Sequence, residues 1–226
     1  MQAYEVYLFD ADNTLYDYDK SEAYALSQML GSIYSDDIRA LFRQINHTAW
    51  GRWERGEISK QDMQVWRFKE LLFKIGLNHD AEDFNTKYLS YLGGSAFLID
   101  GAEEVCRKIA EAGSLIYIAT NGIAATQQAR IGNSSIHKYI SVTFVSEEVG
   151  HQKPDVRFFN HIFANIPPVT KDKILMIGDN IAADIAGGKN AGIDTCWFNP
   201  ACVANTSSHI PTYEIRSLFE ITGGIE

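Results

Sequence analysis

The chain has 226 residues, 46% of them hydrophobic and 22% charged, with a formal net charge of −9 and a pI near 5.1. That length suffices for one large domain or for a core domain with a smaller one appended, and the absence of low-complexity tracts and internal repeats excludes disorder and solenoid architectures. The acidic balance argues against a nucleic-acid or anionic-membrane partner, so a phosphate site in this chain has to concentrate positive charge locally.

No run approaches the roughly 20 apolar residues of a membrane span, and Met1 to Glu5 carries no basic region ahead of an apolar segment, so a cytoplasmic location is expected. Cys106, Cys196 and Cys202 are odd in number and widely spaced, which points to packed thiols rather than a disulfide framework or a zinc site.

The first predicted strand is the apolar run from Val6 to Phe9, which ends in Asp10 and Asp12 and then turns at Asn13-Thr14. Side chains two apart on an extended chain share a side, so the two carboxylates face one small volume, where a shared proton or a hard cation such as Mg²⁺ relieves their repulsion. Asp and Asn after a strand are also ordinary turn formers, and Asp-x-Asp alone is a weak pattern.

From residue 16 to 95 the apolar spacing is helical and no strand is predicted. Ser21 is expected to cap a helix carrying Tyr24, Leu26, Leu30 and Ile33. A second runs from Asp36, a third from Ser59 and a fourth from Ala81 through Tyr91, with breaks at Gly51, Gly56 and Gly76. A unit of about 80 residues is too long for a loop and reads as an inserted helical domain.

Beyond Gly93-Gly94 strands and helices alternate. The predicted strands are Leu115 to Ala119, Val142 to Val145, Ile174 to Ile177 and Asp194 to Phe198, and the helix before the last closes at Gly187-Gly188. This order predicts an α/β fold, a doubly wound parallel sheet built from residues 1–15 and 96–226, with residues 16–95 as a small α-helical domain.

Ligands of open parallel sheets bind beyond the carboxyl ends of the strands. Those ends carry Asp10 and Asp12, then Thr120-Asn121-Gly122, then Lys153, then Asp179-Asn180 with Asp184. Each piece alone is an ordinary turn or bend; together they compose a phosphoryl-transfer site. Asp10 is the candidate nucleophile and Asp12 the general acid and base. Asp10, Asp12 through its backbone carbonyl, and Asp179 are the candidate Mg²⁺ ligands. Thr120, with the amides of Asn121 and Gly122, and Lys153 are the candidate phosphate ligands. Asp184 is expected to orient its neighbours rather than to ligate metal, and Asn180 to serve as a supporting polar group.

These four segments, Phe9 to Leu15, Ala119 to Gly122, Lys153-Pro154 and Gly178 to Asp184, resemble the four motifs of the haloacid dehalogenase-like (HAD) hydrolase superfamily, in order and over essentially the whole chain. The resemblance implies a Rossmann-like core, the same roles for Asp10, Asp12, Thr120, Lys153 and Asp179, and a helical cap that closes over substrate. Val145 to Pro154, Gly187 to Gly192 and Asp194 to Asn199 further resemble the bacterial branch of pyrimidine-type 5'-nucleotidases. Asn13 and Asn180 depart from the residues common there, at positions that tolerate other polar side chains. Asp12 favours phosphate esters over halo-acids, whose dehalogenases typically lack that second carboxylate.

The leading expectation is therefore a Mg²⁺-dependent phosphomonoesterase acting on nucleoside monophosphates through an aspartyl-phosphate, as a monomer or weak dimer. The alternatives are a sugar-phosphate phosphatase or phosphomutase and, outside enzymes, a phosphate-binding regulatory module. In the helical domain Trp50, Trp53, Trp66 and Phe68 are candidates to stack on a base; helical spacing favours core packing for each, least of all for Trp50 and Trp53 near Gly51 and Gly56. His47 and His151 read as surface or capping residues.

Overall fold

The computed structural model describes residues 2–223. The chain divides into two compact units, Met1–Tyr18 with Ala96–Glu226, and Asp19–Ser95.

The first unit is built on a six-stranded, all-parallel sheet: β1 (Val6–Phe9), β2 (Leu115–Thr120), β3 (Ile140–Val145), β4 (Ile174–Gly178), β5 (Asp194–Phe198) and β6 (Tyr213–Ile215), in the order β3-β2-β1-β4-β5-β6. β1 pairs with β2 on one side and with β4 on the other, Phe9 standing opposite both Ile118 and Ile177. The strand order reverses at β1, so the carboxyl ends of β1, β2 and β4 lie side by side, the geometry that leaves a crevice for a ligand.

β1 and β4 are buried along their whole length, which is why they read as unbroken apolar runs rather than alternating ones. Alternate residues go to opposite faces. Tyr7, Phe9, Ile116, Ile118, Leu175 and Ile177 share a core with Val105, Cys106 and Ile109 from a helix over Ala102–Glu111. Val6, Leu8, Tyr117, Ala119, Ile174 and Met176 pack with Phe158, Phe159 and Ile162 from a helix over Val156–Ala164. Helices thus cover both faces, the doubly wound arrangement expected. Cys106 and Cys196 are packed thiols of this core, while Cys202 is exposed.

The second unit contains four helices, α1 (Tyr18–Leu30), α2 (Asp36–Glu54), α3 (Lys60–Lys74) and α4 (Ala81–Gly94). Its centre is a cluster of rings, Phe68 lying 5.2 Å from Phe42, 5.1 Å from Tyr88 and 5.6 Å from Phe84. Ser35, Ser59 and Asp80 cap α2, α3 and α4 by accepting hydrogen bonds from N–H groups of the first turn.

Several boundaries differ from the sequence reading. Ser21 is no cap: α1 begins at Tyr18 and buries Ser21 inside it. Gly51 does not break α2, which runs on to Glu54, because one interior glycine costs only about 1 kcal/mol against a packed apolar face. The breaks come at Gly56 and Gly76, both at positive φ. The helix over Ala186–Ala191 continues through Gly187-Gly188 and stops at Gly192, with φ of 74°. β3 starts at Ile140, and β6 was not predicted at all; three residues are too few to show a period. Among the described residues no helix is long and apolar enough to cross a membrane.

Candidate active site

Asp10 is the first residue past β1, and its N–H donates to the Ile177 carbonyl of β4. Its carboxylate is therefore fixed to the sheet at the point where the strand order reverses. Lys153 arrives from the far side of β3 and is fully enclosed. Its Nζ lies 2.7 Å from Asp10 Oδ1, 2.6 Å from Asp184 Oδ1 and 2.5 Å from the Ala119 carbonyl. Three acceptors match the three protons of an ammonium group. Burial works against that charge, but the Asp10 and Asp184 carboxylates outweigh it and hold the Lys153 ammonium above its usual range.

Asp179, one residue past β4, completes the group. One carboxylate oxygen from each of Asp10, Asp179 and Asp184 falls within 4.8 Å of the others, a spacing that can hold a metal ion. Burial, above all, pushes Asp10 up to about 7 and Asp179 up to about 8; Asp184 and Asp12 add to the first shift, Asp10 and Asp184 to the second, and Lys153 opposes both. One ammonium against three carboxylates leaves the pocket short of positive charge. A hard divalent cation fits such a set: every donor is an oxygen, and the charge it brings is the charge missing.

Asp184 makes a close approach that only glycine allows. A Cβ on Gly178 would stand 2.1 Å from Asp184 Oδ2. That oxygen accepts from the Asn180 N–H at 3.0 Å while Oδ1 accepts from Lys153 Nζ at 2.6 Å. Asn180 itself is exposed and caps the π-helical turn Ile181–Ile185, its Oδ1 accepting from the N–H groups of Ala182 and Ala183. The Trp197 indole donates to the Asp179 carbonyl at 2.9 Å and fixes that backbone, a contact across 18 positions that the sequence reading missed.

Thr120 closes β2 and is buried. Its Oγ1 accepts from the Gly122 N–H at 3.0 Å, and the Asn121 side chain clamps the Lys153 backbone, donating to its carbonyl and accepting from its N–H, each at 2.9 Å. The segment Thr120-Asn121-Gly122 is thereby tied to Lys153, the fourth residue expected around phosphate.

Asp12 stands apart from the acidic group. Its Oδ1 accepts from Arg130 Nη2 at 2.6 Å and its Oδ2 from Gln127 Nε2 at 2.7 Å. Both partners lie on a helix α6 (Ala124–Gly132) and were not singled out from the sequence. In the helical unit, Trp50 and Trp53 are half-buried near the end of α2, their rings edge-to-face at 5.3 Å, with Lys60 Nζ 5.9 Å and 5.0 Å from the two centroids. Phe68 is core and Trp66 half-buried under Arg52.

Comparison with known proteins agrees with this geometry. A family model described as haloacid dehalogenase-like hydrolase matches residues 4–192. The HAD-hydrolase YfnB of Bacillus subtilis is 37% identical over 224 residues, covering 98% of this chain and 95% of its own. A crystal structure of YfnB bound to magnesium superposes with a TM-score of 0.90 over 98% of both chains, at 36% identity. The pyrimidine 5'-nucleotidase PynA of Streptococcus pneumoniae is 38% identical over 217 residues, covering 95% of this chain and 92% of its own.

Proposed function

The chain belongs to the haloacid dehalogenase-like hydrolases, and from that premise we propose that it is a phosphomonoesterase of the 5'-nucleotidase type, releasing phosphate from nucleoside monophosphates with pyrimidine nucleotides among its substrates. One observation carries the chemistry: a buried lysine bridges Asp10 and Asp184 at the strand tips, within an acidic group still short of positive charge. The identity to PynA along nearly the whole chain supports the substrate class.

The roles follow from position. The Asp10 carboxylate attacks phosphorus, forming the Asp10–phosphate bond as the bond to the leaving oxygen breaks, and Asp12 gives its proton to that oxygen. Water then attacks the same phosphorus, the Asp10–oxygen bond to phosphate breaks, and the proton lost by water returns to Asp12. The sum is ester plus water to alcohol plus phosphate, with both aspartates restored. Lys153 and the Thr120 hydroxyl neutralise and hold the phosphoryl oxygens, since this transfer is mostly positioning and charge neutralisation. Asp10 and Asp179, with the Asp12 carbonyl, would hold Mg²⁺, and Asp184 would orient Lys153 and the loop at Asn180. When bound, the cation supplies positive charge against the phosphoryl oxygens and relieves the repulsion among the carboxylates. The magnesium bound by YfnB supports this choice of metal. Residues 16–95 act as the cap in this reading, with Trp50 and Trp53 offered to a base.

The test is phosphate release from a panel of nucleoside monophosphates and sugar phosphates, with Mg²⁺ or chelator, for the native chain and Asp10→Asn. Metal-dependent release from nucleotides that vanishes in Asp10→Asn is expected. Turnover of sugar phosphates alone would leave the chemistry and overturn the substrate class; no release from any member would overturn both in favour of a mutase or a binding module.

A further inference from the structure

Helix α6 opens immediately after Thr120-Asn121-Gly122, and two of its residues, three positions apart and so on one face, turn back to Asp12. Both are enclosed: Gln127 is 2% exposed and Arg130 1%. The contact requires Gly122, because a Cβ there would lie 2.3 Å from Gln127 Nε2.

The amide of Gln127 has its orientation imposed. Arg130 Nη2 donates to Gln127 Oε1 at 2.7 Å as well as to Asp12. A guanidinium has no acceptor, so it meets the amide oxygen and leaves the amide nitrogen facing Asp12 Oδ2, with Thr120 Oγ1 at 3.4 Å on the same nitrogen. Arg130 is itself held from below by the Tyr16 ring, 4.8 Å from its guanidinium carbon. Tyr16 and Asp12 belong to one tight loop, closed by a bridge between them and by the Asn13 N–H donating to the Tyr16 carbonyl at 2.7 Å. The loop, its carboxylate and α6 are therefore tied together by these contacts.

An arginine retained for a strong pair alone would face its carboxylate with two nitrogens. Arg130 engages Asp12 and Gln127 through Nη2, and its buried Nε and Nη1 have no hydrogen-bond partner among the described residues. Asp12 is meanwhile left about one-third open, 31% of its side chain exposed. The arrangement restrains one carboxylate about its Cβ–Cγ bond while keeping it accessible.

We infer that Arg130 and Gln127 are positioning residues for Asp12, fixing the direction in which its carboxyl delivers a proton to the leaving oxygen and linking that direction to Thr120. This rests on the proposed role of Asp12 as the proton donor, and the experiment separates the two. An ester of a nucleoside alcohol needs its leaving oxygen protonated; p-nitrophenyl phosphate, with a stable phenolate leaving group, needs it far less. The constant kcat/KM reports only the steps through release of that group, so the ratio of kcat/KM for a nucleoside 5'-monophosphate to that for p-nitrophenyl phosphate measures proton delivery.

Asp12→Asn is expected to lower that ratio by about 100-fold or more, and Arg130→Met and Gln127→Met by about 10- to 100-fold, since a misdirected general acid forfeits part of its effect. Added to Asp12→Asn, Arg130→Met should lower the ratio no further, because the two act as one unit. Equal losses on both substrates from Arg130→Met and Gln127→Met, or a further fall in the double variant, would overturn the inference. An unchanged ratio in Asp12→Asn would instead overturn the role of Asp12, and the inference with it. Should Arg130→Met not fold, Gln127→Met, which removes no charge, decides the question by the same ratio.

Discussion

Arg67 in the helical unit and Arg130 in the sheet unit are each 1% exposed, and each lies over a tyrosine ring, yet their partners differ in kind. Arg67 Nη1 donates to Asn46 Oδ1 at 2.9 Å, Nη2 to Asn85 Oδ1 at 3.1 Å and Nε to the Gln64 carbonyl at 3.3 Å, all neutral acceptors within the same bundle. Arg130 meets a carboxylate that reaches solvent and leaves two nitrogens unengaged. A buried guanidinium with each nitrogen engaged by a neutral acceptor is a fixture of packing, whereas one with nitrogens unengaged is arranged around its partner. The units differ likewise in balance: the sheet unit gathers carboxylates in excess at its strand tips, whereas the helical unit buries one cation, Arg67, and one carboxyl, Glu22.

The contrast breaks most severely at Lys153. Replacing it by Met removes the one positive charge that touches both Asp10 and Asp184 and leaves two enclosed carboxylates unpaired, so unfolding free energy should fall by about 3–5 kcal/mol along with loss of phosphate release. Denaturant melts of the native and variant chains check it. Next is the missing cation itself. Saturating Mg²⁺, at about 100 times its dissociation constant, should stabilise the native chain by about 2.7 kcal/mol in the same melts, and Asp179→Asn should abolish that gain. A smaller loss belongs to Arg67→Met, about 1–3 kcal/mol from removing the hydrogen bonds to the Asn46 and Asn85 oxygens. Unlike Arg130→Met, it should leave the ratio of nucleotide to p-nitrophenyl phosphate turnover where it was.

What was legible in the sequence follows from the same contrast. Asp10, Thr120 and Asp179 sit where an apolar strand ends, a change of character visible within a few residues, and the parallel sheet brings those ends together without further instruction. Gln127 and Arg130 reach Asp12 across 115 and 118 positions from a helix whose local pattern does not set them apart from a solvated face. The signal present was slight: two long polar residues at i and i+3 on the helix that opens from a motif strand, the second beside the core residue Ile131. Ser21 and Gly51 misled for the opposite reason, since local preference for a cap or a break yields to packing when the surrounding face is buried.

Glu22 sharpens the contrast by the smallest amount. It lies on α1 with its side chain 2% exposed, and its Oε1 is 3.5 Å from Arg39 Nε and 3.6 Å from Arg43 Nε, close enough for attraction and too far for a hydrogen bond, which that oxygen lacks. Burial pushes its carboxyl up to about 7; Arg43 and Arg39 pull it down and Asp19 adds to the rise. The folded chain therefore keeps a proton on Glu22 between about pH 4.5 and 7 that the unfolded chain gives up. Stability from this group is complete below that window and lost as pH rises through it. Glu22→Gln carries the neutral shape at every pH, so its melting temperature relative to the native chain should climb from pH 5 to pH 8. A difference that stays flat would mean that the two arginines hold Glu22 ionised across that range.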